Sequence, residues 1–159
     1  MMRVSALAIL LVCAACSPDK AEEAPDIDYD AMNEAAEGPG AMIQPTPMTF
    51  SDIERFNLFG AGCNISQGDG LIFIAQAEEA YFLLDGELKR LAPHATEAEL
   101  PYGVSDHYDG REHSVELQID LASEKVEAPE VVTYQGSMTI RDAKERAVYE
   151  YSGPIQCGA

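Results

Sequence analysis

The sequence has no tryptophan, three histidines, four cysteines and only ten Lys and Arg in 159 residues, against 28 Asp and Glu. Scarce cations leave a formal charge of −18 and no basic cluster, which excludes nucleic acid as a partner because phosphate backbones would be repelled. Scarce His and Cys deprive the chain of the raw material for most metal and catalytic constellations. G-x-S-x-G, S-x-x-K and a phosphate-cradling glycine loop before a helix are also missing, so the expectation is binding rather than turnover, with no cofactor. The absence of repeats and of βαβ spacing argues against doubly wound nucleotide folds. After residue 15 no apolar run approaches the ~20 residues of a spanning helix. The length suits one folded domain with appendages.

What is present at the N-terminus is a single cation, Arg3, followed by an apolar run from Val4 to Ala15 interrupted only by Ser5. Twelve helical residues rise ~18 Å, short of the ~30 Å hydrocarbon core, so residues 1–15 read as a cleaved signal rather than a spanning anchor. The following Ala14-Ala15-Cys16-Ser17 resembles the lipobox of bacterial lipoproteins. That resemblance implies diacylglycerylation of the Cys16 thiol, cleavage before it and acylation of the new amino group. Several acyl chains on one residue hold far more firmly than one. An ordinary secretory signal cut at A-x-A-like residues is the alternative. The lipoprotein resemblance places the mature chain in the bacterial envelope, and Ser17, rather than Asp, after the lipidated position favours the outer membrane, facing the periplasm.

Residues 16–47 read as a tether. From Ser17 to Pro47 there are five prolines, six alanines and eight acids against one lysine, too little large apolar surface to offset the entropy of ordering. A flexible coil of that length spans roughly 30 Å root-mean-square. Residues 48–159 read as a β-rich globular domain with eight Lys and Arg against twenty Asp and Glu, a formal −12.

Within that domain Ser51-Asp52-Ile53-Glu54 has the spacing of a capping box and predicts a short helix from Asp52 to about Leu58. Leu71–Ile74 is a continuous apolar run expected of a buried strand. Ala80–Leu84 and Glu87–Leu91 flank Asp85-Gly86, the strongest short hairpin signal because both turn residues tolerate positive φ. From His113 to Leu121 apolar and polar residues alternate, one face packed and one wet. Val131–Tyr134 and Ser137–Ile140 predict a strand bent or bulged at Gly136, and Ala147–Tyr151 begins the last. The expected fold is mainly β: a small antiparallel sandwich or barrel of about six to eight strands with one or two short helices.

With Cys13 cleaved away and Cys16 lipidated, Cys63 and Cys157 are the remaining thiols, and in an oxidising compartment the pair reads as a disulfide; free or metal-bound thiols lack a completing ligand set. A loop of roughly 95 residues would gain ~4–5 kcal/mol in the chain-entropy model. The densest polar stretch, Ser105 to His113, holds His107, Asp109, Glu112 and His113, which invites a metal reading, while Asp109-Gly110 reads as a solvated turn. His94, His107 and His113 converging with acids would support a metal-dependent enzyme or metal-binding protein. Carboxylate pairs such as Glu78-Glu79 or Glu97 and Glu99 are coincidences expected of so acidic a chain.

The central Leu-Asp-Gly hairpin, the disulfide joining the two ends and a following Ser…Tyr loop are similar to the membrane-bound c-type lysozyme inhibitors. In that family an S-G-x-x-Y loop enters the enzyme cleft; here the match is Ser105-Asp106-His107-Tyr108, with Asp106 in place of Gly. The resemblance implies a partner-binding loop containing Ser105 and Tyr108. The broader expectation is a lipid-anchored envelope lipoprotein with a non-catalytic domain that binds a protein, glycan or lipid.

Overall fold

A computed structural model describes residues 38–94 and 100–159. The expected signal, Cys16 and most of the expected tether, together with Glu97 and Glu99, lie outside the described residues. The compact unit that contains the barrel spans Gly38–Ala159, ten residues more than the expected start at Met48.

The chain enters through residues 38–48, forms helix α1 (Phe50–Phe56), and then lays down eight antiparallel strands: β1 (Gly62–Gln67), β2 (Gly70–Gln76), β3 (Ala80–Leu84), β4 (Glu87–Pro93), β5 (His107–Asp109), β6 (His113–Ala128), β7 (Val131–Asp142) and β8 (Ala147–Gly158). Each pairs with the next, and β8 returns to β1, so the sheet closes into a barrel. Of the two expected architectures, the barrel is the one formed. Closure pairs Gly62, Cys63 and Asn64 with Gly158, Cys157 and Gln156, and the Cys63–Cys157 disulfide bridges that seam with Cα atoms 4.0 Å apart.

Among the described residues, large apolar side chains pack together in the interior. Phe73, Phe82, Tyr108, Leu117, Met138, Ile140 and Ile155 are fully buried in one cluster. A second, smaller cluster lies outside the wall, where Met48, Leu58, Ile74, Tyr81 and Leu83 are covered by Ile53 and Phe56 of α1.

The Asp85-Gly86 hairpin forms as expected, with φ of +51° and +80° at its two turn residues. The helix starts two residues before its expected position. Its cap is Thr49, whose N–H donates to Asp52 Oδ2 at 2.8 Å, so the working box is Thr49-x-x-Asp52 instead of Ser51-x-x-Glu54. Asn57, left-handed at φ +54°, ends it. Gly136 is neither bulge nor bend: pairing runs through it unbroken on both sides. A Cβ there would sit 2.3 Å from the Gln118 carbonyl oxygen and 2.5 Å from Ile155 Cδ1, so the glycine permits close approach. The irregularity falls instead at residues 121–124 of β6, which stand opposite Tyr134 alone and leave Leu121 exposed.

Residues 40–47, which composition places in the tether, run along the wall together with Met48. Ile43 N–H donates to the Val148 carbonyl, Thr46 N–H to Leu83, and Met48 exchanges both backbone bonds with Leu71. Strands β2 and β3 pair only at Ile74–Tyr81 and Ala75–Ala80, and Thr46 and Met48 bond to the two strands beyond that point. Met48 is 1% exposed.

Candidate functional site

The polar stretch Ser105–His113 folds inward at Ser105 and Tyr108, while residues 109–112 are exposed. His107–Asp109 is strand β5, not a solvated turn, and the turn is confined to the three residues that follow. Ser105 is 4% exposed and Tyr108 fully buried. The Tyr108 hydroxyl donates to the Gln76 carbonyl and accepts from Ser105 N–H, both at 2.8 Å. Ser105 Oγ lies 3.0 and 2.8 Å from the His94 and His107 carbonyl oxygens and donates to one at a time. The Ser…Tyr pair thus ties the segment before β5 to the barrel, and in this conformation neither residue is presented to a partner. Tyr102, next to Gly103 in the 3₁₀ turn Pro101–Gly103, secures the same segment by donating to the Glu130 carbonyl at 3.0 Å.

Two of the three histidines converge. His94 Nδ1 and His107 Nε2 approach the two carboxylate oxygens of Asp109 at 3.1 and 3.0 Å, with the rings edge to face. Partial burial raises the Asp109 pKa, but the two imidazoles outweigh it and hold the group below the ordinary carboxylate value. His113 lies elsewhere, its ring against Phe82 at 5.6 Å, and burial lowers its pKa. Among the described residues no three His, Cys, Asp or Glu side chains are disposed to hold an ion. Of the Glu78-Glu79 pair, Glu79 accepts from the Tyr81 hydroxyl at 2.6 Å and from Arg90 at 3.1 Å. Burial and that carboxylate push the Tyr81 phenol up to about 12.

The surface best suited to recognition is one the sequence did not single out. Helix α1 turns Ile53 and Phe56 toward the outer cluster but leaves Phe50 outward, where its ring meets Phe59 edge to face at 6.1 Å. Phe50 is 66% and Phe59 56% exposed. Below Phe59 a groove of about 270 Å³ runs along the disulfide-closed seam, with Ile53, Leu58, Leu71 and Ile74 among its apolar walls and Asn64 and Gln156 as its cross-strand amide pair. Asn64 Oδ1 is buried without a hydrogen-bond partner, a distinction it shares among the described residues only with Ser114 Oγ. A buried acceptor left unpaired costs about 1–3 kcal/mol. The groove also needs its glycines: a Cβ at Gly62 would fall 2.1 Å from the Ala75 carbonyl oxygen. The three phenylalanines within residues 50–59 were the available signal, since they exceed what one short helix can turn inward.

These features define a class of protein, an eight-stranded meander barrel sealed by a disulfide between its first and last strands and carrying an apolar groove over that seam. No family model, curated protein or solved structure matches the chain.

Proposed function

We propose that this chain is a lipid-anchored envelope lipoprotein, held by acylated Cys16 on the periplasmic side of the outer membrane, whose barrel is a non-catalytic module that binds a protein partner through the α1 groove. The carrying observation is the exposed Phe50–Phe59 pair above an apolar groove containing an unpaired amide acceptor. Exposed aromatic rings beside an apolar pocket are the usual composition of an interface centre. An apolar side chain of the partner enters between Phe59 and Ile74, and a donor on the partner satisfies Asn64 Oδ1. The lysozyme-inhibitor version draws no comparable support, because its two contact residues are buried.

The anchor is tested by palmitate labelling of the chain and of Cys16→Ser, with loss of label expected and label persisting at another residue overturning it. For the groove, the intact lipoprotein is crosslinked in envelopes alongside Phe50→Ser, Phe59→Ser and Asn64→Ala. A captured partner lost from all three variants, at unchanged unfolding midpoint for the two exposed phenylalanines, supports the reading. Capture that ignores all three substitutions excludes the groove.

A further inference from the structure

The barrel wall has a second opening, on the opposite edge of the β3–β4 hairpin. Strand β4 pairs with β3 from Glu87 to Leu91, but on its other edge β5 joins only at Ala92 and Pro93. In a hairpin closed by the two-residue Asp85-Gly86 turn, Leu84 and Glu87 form the bonded pair next to the turn. The N–H and C=O of Leu88 and Arg90 therefore point away from β3. Among the described residues no strand takes these groups. Gly110 closes against the Arg90 carbonyl oxygen, which a Cβ at that glycine would approach to 3.3 Å, so the free edge is centred on Leu88. Beside it lies a pocket of about 240 Å³ lined by Phe82, Leu91, Lys89, Arg111 and His113.

Charge is distributed unusually here. Three of the ten Lys and Arg, Lys89, Arg90 and Arg111, line this pocket, against the carboxylates of Glu87 and Glu112. Lys89 is held by both acids at 2.8 Å, and Arg90 reaches Glu79 while lying over the Tyr81 ring. Arg111 is exposed. Three cations meet three carboxylates here, so on a chain of formal −18 this surface is locally neutral and repels an acidic partner less than the acidic remainder does. The chain also shows what such an opening accepts: at the β2–β3 gap its own extended residues Thr46 and Met48 bond to the exposed edges.

The geometry points to β4 as the receiving edge for an extended peptide segment of a partner protein whose side chains alternate apolar and acidic. The segment pairs with the Leu88 backbone. Its inward side chain packs by Phe82 and Leu91, and its outward carboxylates face Arg90 and Arg111. This site is separate from the α1 groove and stands or falls independently of it.

The test uses the full-length chain in detergent and a short blocked peptide of alternating valine and glutamate, followed by fluorescence anisotropy and by amide hydrogen exchange at Leu88 and Arg90. Both amides are expected to exchange fast alone and to slow with peptide. A valine–lysine peptide should bind more weakly, an N-methylated valine–glutamate peptide should not bind, and added salt should weaken binding. Leu88→Pro removes the donor that faces the opening without touching a β3–β4 ladder bond, and should weaken binding about tenfold. Leu88→Ala, which loses the same side chain but keeps the N–H, should bind close to wild type. Unchanged exchange at Leu88, equal binding of the lysine peptide, or binding by Leu88→Pro as tight as by Leu88→Ala overturns the proposal. The cations would then serve only to keep a free edge from pairing.

Discussion

Between β2 and β3 the ladder holds two pairs, and between β4 and β5 it again holds two, yet the chain treats the two gaps differently. Thr46 and Met48 bond across the first and bury a methionine beside it; charged side chains and a pocket line the second. Closure of the barrel at β1–β8 is a third case, with three backbone pairs and a disulfide. A gap covered by the chain's own segment contributes stability through buried apolar contact, whereas a gap lined by ion pairs in water contributes little and stays available. The three seams therefore rank by how each is closed among the described residues: covalently, by an inserted segment, or not at all.

That ranking can be broken by substitution. The largest loss is expected for the paired change of Cys63 and Cys157 to serine, which frees a loop closed across 94 residues and should cost about 4–5 kcal/mol by the chain-entropy relation. Urea denaturation with and without reductant measures it. Met48→Ala empties a fully buried site at the β2–β3 gap and should cost about 2–5 kcal/mol in the same assay. Tyr108→Phe leaves the Gln76 carbonyl and Ser105 N–H without their partner and should cost about 1–3 kcal/mol, read as a lower thermal midpoint. Lys89→Ala, at the open gap, should change stability by less than about 1 kcal/mol, because both its ion pairs reach exposed carboxylates. An effect of Lys89→Ala as large as that of Met48→Ala would erase the distinction between the filled and the open gap.

A pH measurement sharpens the comparison where the inserted segment enters. Gly40 packs beside Asp142, Arg146 and Val148, and a Cβ there would lie 3.3 Å from Asp142 Oδ2. Asp142 accepts Arg146 Nη2 at 2.6 Å and Nε at 2.9 Å, and that guanidinium, with two backbone N–H donors, lowers its pKa to about 2. The folded value lies below the unfolded one, so the contribution is complete above about pH 4 and disappears as pH falls through about 2. Acid titration of Asp142→Asn should show a shallower loss of stability across that window than wild type.

Much of the wall was legible in the sequence because local signals and tertiary demands agreed there. Asp85-Gly86 names its own turn, and Val115, Leu117 and Ile119 alternate because their strand faces a packed interior on one side only. The inserted segment was not legible: Pro45 and Pro47 flank Thr46 in a composition shared with linkers, and its pairing depends on β2 and β3 diverging, which no local pattern records. Thr49 and Ser51 both start plausible capping boxes, and the packing of Ile53 and Phe56 on the outer cluster accompanies the earlier start. Ser105 and Tyr108 have the residue types of a contact loop, but motif spacing carries no information about burial, and the same hydroxyls that could meet a partner are spent on Gln76, His94 and His107. The α1 groove combines residues 53–74 with Val131 and residues 156–159, so only the closed barrel assembles it.

The disulfide has a consequence for damage as well as for stability. Cys63 and Cys157 bracket every strand except the first residue of β1 and the last of β8, so the covalent path from one to the other is a ring. A protease that cuts any single loop inside that ring opens it but does not divide the chain. Both pieces remain joined through sulfur, and under non-reducing conditions a once-nicked molecule migrates as one species. Reduction is what separates them, so damage and release are distinct chemical events.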